Sequence, residues 1–345
     1  MIEIDGSYGE GGGQIVRTSL TLSAATGVAV RLVKMRANRH PPGLRPQHVA
    51  AVRAAADICG ASIARLEPGI DELVFEPGPV QPGEYSWQIG TAGSASLVLQ
   101  TVAVPLAMAD GASRVEIVGG THNPKAPCFE YLDQVWRVWL ERIGVGVELA
   151  MDSAGFYPKG GGRIVAHIAG GVRPDRIRAL HLQQRGELVG MTGVSAVANL
   201  PDHIAQRQRA RAVADLKRLG IEARIDTAEL ASIGKGTVCF LRAEFEHSIA
   251  GFFALGALGK KAELVGHEAA EAARKFCTER SGAAVDPHAA DQLIVALVLA
   301  ARASRYRTTA LTEHTSTNAA VASQITGREV RIEGKRGDAG EVVIE

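Results

Sequence analysis

No stretch of this 345-residue chain approaches the roughly 20 unbroken apolar residues that a bilayer span requires. Its opening, Met1 to Gly13, carries an acid at Glu3 and no apolar run of signal-peptide length. We therefore expect a soluble, cytoplasmic protein with no membrane partner. Cysteine is sparse. Cys59, Cys128, Cys239 and Cys277 lie scattered without CxxC spacing, which argues against a disulfide framework and a zinc knuckle and leaves reduced, mostly buried thiols. Net charge is only +1, too little for wholesale polyanion binding. The average nevertheless hides a local shortage, because no acidic side chain occurs between Glu10 and Asp57. That interval holds Arg17, Arg31, Lys34, Arg36, Arg39, Arg45 and Arg53, with His40 and His48, so a positive field beside a glycine-rich loop awaits a phosphate-rich partner.

With 46% apolar and 22% charged residues the chain has an ordinary globular balance, and its length suggests one large domain plus a smaller one. Internal repetition organises it. A helix-like run, Gln14 to Ala25, leads to a strand, Val28 to Val33, then to the loop Asn38-Arg39-His40-Pro41-Pro42. The helix Gln47 to Cys59 and the strand Ala61 to Leu66 complete this copy. A second copy reads helix Ser94 to Ala109, strand Arg114 to Val118, loop Thr121-His122-Asn123-Pro124, helix Cys128 to Ile143 and strand Val145 to Met151. A third glycine loop, Gly155 to Gly162, opens the strand Arg163 to Ile168. Near the end, the helix Ala289 to Ala303, the strand Thr308 to Leu311 and the helix Asn318 to Ile325 suggest a further copy, closed by the strands Glu329 to Glu333 and Gly340 to Ile344. The expected fold is α+β, an α/β sandwich: a large domain of repeated helix–strand units with four-stranded sheets over 1–183 and 274–345, and a smaller inserted α/β domain over 184–273. Within the insert the helix Ile204 to Leu219 is basic, through Arg207, Arg209, Arg211, Lys217 and Arg218, and equally suits RNA contact or a merely solubilising face.

Two motifs can carry chemistry. Glu10-Gly11-Gly12-Gly13-Gln14 precedes a helix whose N–H groups and dipole can face a phosphate. It is neither a GxxxxGK[ST] loop nor a dinucleotide fingerprint, and glycine runs also make plain turns. Glu10 raises its interest, as a carboxylate able to meet a nucleotide-bound magnesium or a ribose hydroxyl. The second motif, Glu313-His314-Thr315-Ser316-Thr317-Asn318, falls between a strand and an apolar helix, where α/β folds seat ligands. Alone, His314 reads as readily as a surface or capping residue, with Thr317 or Asn318 as the helix N-cap.

In order, IDGSYGEGGGQIVR, NRHPPGLRPQH, IGTAGSASLVLQT, GGTHNPKAP, GFYPKGGG, ADQL and EHTSTN resemble the RNA 3′-terminal phosphate cyclases, and the likeness covers essentially the whole chain. The resemblance implies an ATP-dependent enzyme that converts an RNA 3′-terminal phosphate to a 2′,3′-cyclic phosphate, releasing AMP and pyrophosphate. It makes His314 the nucleophile that becomes adenylylated. It places ATP at Glu10, Gln100, Pro127, Asp291, Gln292 and His314, with Pro127 against the adenine and Glu10 near magnesium, manganese remaining open. The RNA terminus and reacting phosphates are implied at Arg17, Arg36, Arg39, Gln47 and His48, with Arg17 and Arg39 also serving catalysis. This chain departs from some members in having His288 where they carry an aromatic, and Pro46 with Arg45 one place earlier where they carry arginine before the QH pair. Competing readings are a non-catalytic, ribosome-assembly relative, which lacks the nucleophilic histidine; an enolpyruvyl transferase, built from similar units; and a basic RNA-binding module without turnover. Oligomeric state and the physiological RNA leave no trace in the sequence.

Overall fold

The computed structural model describes residues 1–345. Three α/β units follow one another in the main body. The first comprises β1 (Ile2–Asp5), α1 (Gly13–Thr26), β2 (Val30–Val33), α2 (Pro46–Cys59) and β3 (Leu73–Phe75). The second comprises β4 (Glu84–Gln88), α3 (Ala95–Met108), β5 (Ser113–Gly119), α4 (Phe129–Tyr131), which runs through a π turn at Leu132–Trp136 into α5 (Arg137–Arg142), then β6 (Val147–Ser153) and β7 (Gly162–Ile168). The third begins with the short β8 (His181–Leu182). After an intervening stretch it resumes as α8 (Pro287–Leu297), β13 (Ser304–Thr308), α9 (Glu313–Thr326), β14 (Val330–Glu333) and β15 (Gly340–Ile344).

Strand order shows the repetition directly. The second sheet runs β4-β5-β7-β6 and the third β8-β13-β15-β14, with the first two strands parallel and the rest antiparallel in each. These four-stranded sheets are as expected, and the first sheet, β1-β2-β3, has three strands. The strand expected over Ala61 to Leu66 does not form, and antiparallel pairing with β2 is made by Leu73–Phe75 instead. Most side chains of 61–66 stay at least partly exposed, so its alternation answers to no covering layer. Two further boundaries move: the strand expected at Thr308 to Leu311 ends at Thr308, and α9 starts at Glu313 rather than Asn318. Chain direction changes where glycine permits it. Gly27 and Gly327, at φ of 73° and 71°, each close a helix by donating to a carbonyl four residues back.

Helices α1, α2, α3, α8 and α9 pack on one another inside, and strands such as β5 bury alternate side chains against them. Helix α1 is enclosed almost from end to end, Leu20 and Leu22 being fully buried. The result is an α+β sandwich.

Between β8 and α8 lie β9 (Leu188–Ala198), α6 (His203–Lys217), β10 (Ala223–Glu229), β11 (Gly236–Phe245), β12 (Ile249–Leu255) and α7 (Ala262–Cys277), in a sheet ordered β10-β9-β11-β12. They enclose their own core, including Leu216, Leu241, Phe252, Val265 and Phe276. The basic face of α6 is largely spent internally. Arg207 makes two bonds to Glu263, at 2.7 and 2.9 Å, while Arg211 and Arg218 both reach Asp215. Arg185 ties the two chain crossings together: buried, it donates to the carbonyls of Cys277, Glu279 and Ala283 and lies over the rings of Phe245 and Phe276. Replacing Arg185 by Leu strands those carbonyls and removes a buried cation, so unfolding free energy should drop by on the order of 2–4 kcal/mol. Thermal or urea unfolding measures this, and an unchanged midpoint would show that the crossings do not need the clamp.

Candidate active site

Three helix starts meet at one end of the inner layer: those of α1, α2 and α9. The first-turn N–H groups of a helix have no intrahelical partners, and α1 has neither a capping side chain nor an acid in its first turn. Its glycine N-cap therefore leaves a positive, unshielded helix end. Gly9 and Gly11, at φ of 58° and 54°, fold the preceding loop back so that Glu10 faces the cluster. By contrast α9 is closed by Thr312, whose hydroxyl accepts from Thr315 N–H at 3.1 Å. Thr312 is thus the N-cap, in place of Thr317 or Asn318, and His314 stands within the first helical turn rather than in the loop before it.

Gln14 and Glu10 hold the two nitrogens of His314. The Gln14 side-chain N–H2 donates to Asp291 Oδ2 at 3.0 Å and to the His314 carbonyl at 3.4 Å, which turns Gln14 Oε1 onto His314 Nδ1. An amide oxygen can only accept, so Nδ1 carries the proton and Nε2 keeps its lone pair. Nε2 lies 3.2 Å from Glu10 Oε2, and the same carboxylate oxygen takes a 2.6 Å bond from Arg39 Nη2. Burial, helped by Arg17, His288 and Arg39 and opposed by Glu10, holds the His314 pKa below that of a free imidazole. The ring is therefore neutral, and basic at Nε2, at physiological pH.

A second set of groups surrounds α1. Burial lowers Arg17 to about 10, still fully charged at neutral pH. Arg36 donates through Nε to the Gly43 carbonyl at 2.9 Å. His48 is buried and accepts from Arg45 N–H at Nδ1, 3.0 Å away. Burial, with Arg17, Arg36 and Arg45 beside it, drops its pKa to about 3, so the ring is neutral with its proton on Nε2, the atom packed against Gly13. Gln47 accepts from Ser94 N–H at 3.1 Å and so joins this cluster to the second unit.

The structure brings Glu10, Arg39, Asp291 and His314 together in one network, with Arg17 and Arg36 in its field and Gln47 and His48 on the adjoining turn of α2. Pro127 has no bond to that network; it precedes α4, whose Tyr131 hydroxyl meets Asp286, the residue that caps α8. Gln14 was missed as a site residue by the sequence reading. The available signal was a buried-phase polar residue directly after the glycines, at the first turn of a helix. Gln100 Nε2, Asp291 Oδ1 and Gln292 Oε1 are each buried without a hydrogen-bond partner, one donor and two acceptors of the kind that a purine edge or a ribose hydroxyl can meet. No group of three or more metal-ligating His, Cys, Asp or Glu side chains exists. Glu10 alone fits a magnesium ion that keeps its waters and arrives with phosphates.

A family model described as RNA 3′-terminal phosphate cyclase matches residues 8–332. A protein of that name from Methylococcus capsulatus is 46% identical over 92% of this chain and 89% of its own length. Others bearing the name, from Nostoc punctiforme and Methanopyrus kandleri, are each 41% identical, over 96% of both chains in the first case and over 100% of this chain and 98% of the relative in the second. Among solved structures, the enolpyruvyl transferase NikO from Streptomyces tendae is 16% identical over 61% of this chain and 37% of its own, with a TM-score of 0.27, too low to bear on the fold.

The chemistry of Asp291 generates a pH prediction. Burial and the neighbouring Asp286 raise its carboxyl to about 7, against the Gln14 hydrogen bond and Arg17. An unfolded aspartate releases its proton near pH 4, whereas the folded one holds it to about pH 7, so this group's contribution to stability declines across that window as pH rises. In Asp291→Asn the decline vanishes. The variant should gain on the parent by up to about 4 kcal/mol between about pH 4 and pH 8; unfolding curves that stay parallel with pH would rule the shift out.

Proposed function

This chain belongs to the RNA 3′-terminal phosphate cyclase family, and on that premise we propose that it closes RNA 3′-phosphates by way of a covalent histidine–AMP intermediate at His314. The observation that carries the reading is the contact of Gln14 Oε1 with His314 Nδ1, which calls for a proton on that nitrogen and leaves the lone pair of Nε2 to attack phosphorus. His314 Nε2 forms a bond to the α-phosphorus of ATP, and the bond from that phosphorus to the bridging oxygen breaks as pyrophosphate leaves. Arg17, Arg36 and Arg39, with the exposed end of α1, offset the negative charge that gathers there. Gln100, Asp291 and Gln292 supply the unpartnered polar atoms for the nucleotide. Magnesium, when bound with the nucleotide beside Glu10, supplies further neutralisation of the phosphate oxygens.

Once adenylylated, His314 is a good leaving group as soon as its imidazole is protonated. A terminal phosphate oxygen of the RNA takes the AMP, with the phosphorus–nitrogen bond breaking. The neighbouring ribose 2′-hydroxyl then attacks the RNA phosphorus, expels AMP and closes the five-membered cyclic phosphate. Because that last step is intramolecular, orientation by the arginines and His48 Nε2–H can contribute on the order of 7–11 kcal/mol without dedicated acid–base groups. A scaffold without turnover is the second reading. It leaves the tautomer-fixing contact of Gln14 and the Glu10–His314 approach without purpose.

Incubation with magnesium and ATP labelled at the α-phosphate should leave acid-labile label on the chain, and His314→Ala should abolish it. Wild-type protein that binds RNA normally and takes up no label would favour the scaffold. Arg39 offers a finer test. It opposes the charge of Glu10, so in Arg39→Ala the carboxylate holds the proton of His314 more strongly and the imidazole pKa rises. Self-labelling in this variant should move to higher pH, and cyclisation of RNA 3′-phosphate should fall further than labelling; equal losses with an unmoved pH profile would put Arg39 in the wrong subsite.

A further inference from the structure

Beyond the cluster that holds the reacting phosphates, the surface continues across four loops of which, Pro127 apart, the chemistry above uses no residue. They are 89–94, 121–127, 154–163 and 230–237, and none contains an acidic residue. The first touches the candidate site itself, since Ser94 N–H bonds to Gln47 and a Cβ on Gly93 would lie 2.8 Å from that of Gln47. Gly160, at φ 64°, packs so closely on this loop that a Cβ there would come 2.8 Å from Ala92 Cα. Asn123 Nδ2 bonds to the Ala92 carbonyl, and Lys159 Nζ reaches the Ile233 carbonyl at 3.3 Å. The four loops therefore form one continuous surface that starts at Gln47.

What this surface displays is unusual for a face with no task. Tyr157 is 73% exposed and Ile233 64%, while Lys125, Lys159 and Lys235 stand exposed around them. The loop beneath is firmly held. Phe156 is buried, stacks on His122 at 4.7 Å with an interplanar angle of 21°, and packs against Gly236. His122 in turn is buried against Glu130 at 2.9 Å and bonded to Thr121. Asn199 fixes the far loop through the carbonyls of Ser232 and Gly234, both at 2.7 Å. A rigid platform thus presents one aromatic ring and three cations with no anion among them.

We propose that this platform binds the single-stranded RNA upstream of the terminal phosphate, with Tyr157 stacking on a base and Lys125, Lys159 and Lys235 contacting the backbone. The inference rests on the cyclase reading for the direction of the strand. Its chemistry is that of single-strand recognition: an aromatic face accepts any base, and lysines follow phosphates. Continuity with Gln47 selects RNA over a protein partner, because the strand whose 3′ end lies among the arginines must leave the site over some neighbouring surface, and this one is complementary in charge.

The test compares binding, without ATP, of a long single-stranded oligoribonucleotide and of a dinucleotide, both carrying a 3′-phosphate. Tyr157→Ala should weaken the long ligand roughly five- to hundredfold, as loss of one stacked base does, and leave the dinucleotide unchanged. Tyr157→Phe should retain the parent affinity. Lys159→Ala with Lys235→Ala should flatten the salt dependence by about 0.7 in log–log slope per lysine. Self-labelling should be unchanged in every variant. Equal affinity of the parent for both ligands, or Tyr157→Ala that alters self-association while leaving RNA affinity intact, would overturn the platform. Failure of the parent to take up label would instead count against the cyclase reading, since the binding comparison needs no nucleotide.

Discussion

One amide side chain settles what the site can do. Gln14 offers its two ends to different units of the fold: the N–H2 group goes to Asp291 on α8, and the oxygen to His314 Nδ1 on α9. Since neither end can exchange roles without breaking the Asp291 bond, the imidazole is held in one tautomer with Nε2 turned toward Glu10. A histidine that rotated freely would divide its time between two nitrogens. Held this way, Nδ1 is occupied by Gln14, and Nε2, facing Glu10, is the nitrogen left for reaction.

The same contact explains the placement of charge. Asp291 is buried and its carboxyl rises to about 7, while burial holds His314 below its ordinary value, so the two groups joined through one amide are shifted in opposite directions. Glu10 would by itself draw a proton onto His314, but Arg39 shares its oxygen at 2.6 Å, and Arg17 adds a cation that stays charged despite burial. The arginines thus act on the ring before any phosphate arrives: they add to burial in keeping it unprotonated, and they make the same space attractive to anions.

Legibility in the sequence followed the strength of local signals. Helices α1, α2, α3 and α9 carry apolar faces closed by Gly27, Gly60, Ala109 or Gly327, and their approximate positions could be read from pattern and punctuation. Strands β1, β4 and β8 were not readable. They are short and lie first in their units, and pairing with a strand far along the chain, rather than periodicity, makes them strands. Ala61 to Leu66 shows the converse, an alternating run with no neighbour to pair with. At the site, the glycine loop by itself pointed to Glu10, while Asp291 and the roles of Arg39 and His314 came from the resemblance that the ordered motifs carry. Their bonding to one another depends on contacts such as Glu10 to His314, which join opposite ends of the chain and which no local pattern encodes. Gln14 belongs to this second kind, being chemically ordinary until Asp291 and His314 are folded against it.

Repetition itself accounts for where the site lies. The first two units place a helix directly after their first strand and the third does so after the inserted sheet, and α1 and α8 meet through Gln14 in the first turn of one and Asp291 in the second turn of the other. The second helix of a unit returns along the same layer, so α2 and α9 bring their own starts, with His48 and His314, to the neighbourhood of α1. Helix starts carry partial positive charge and unpaired N–H groups. Stacking related units so that several starts converge therefore builds an anion site from backbone, and the first turns of α1 and α9 also carry two of the side chains that turn binding into chemistry, Gln14 and His314. A glycine N-cap on α1 and a threonine N-cap on α9 then divide the labour: the first leaves its N–H groups open to a phosphate, and the second uses its own to lock the histidine's turn in place.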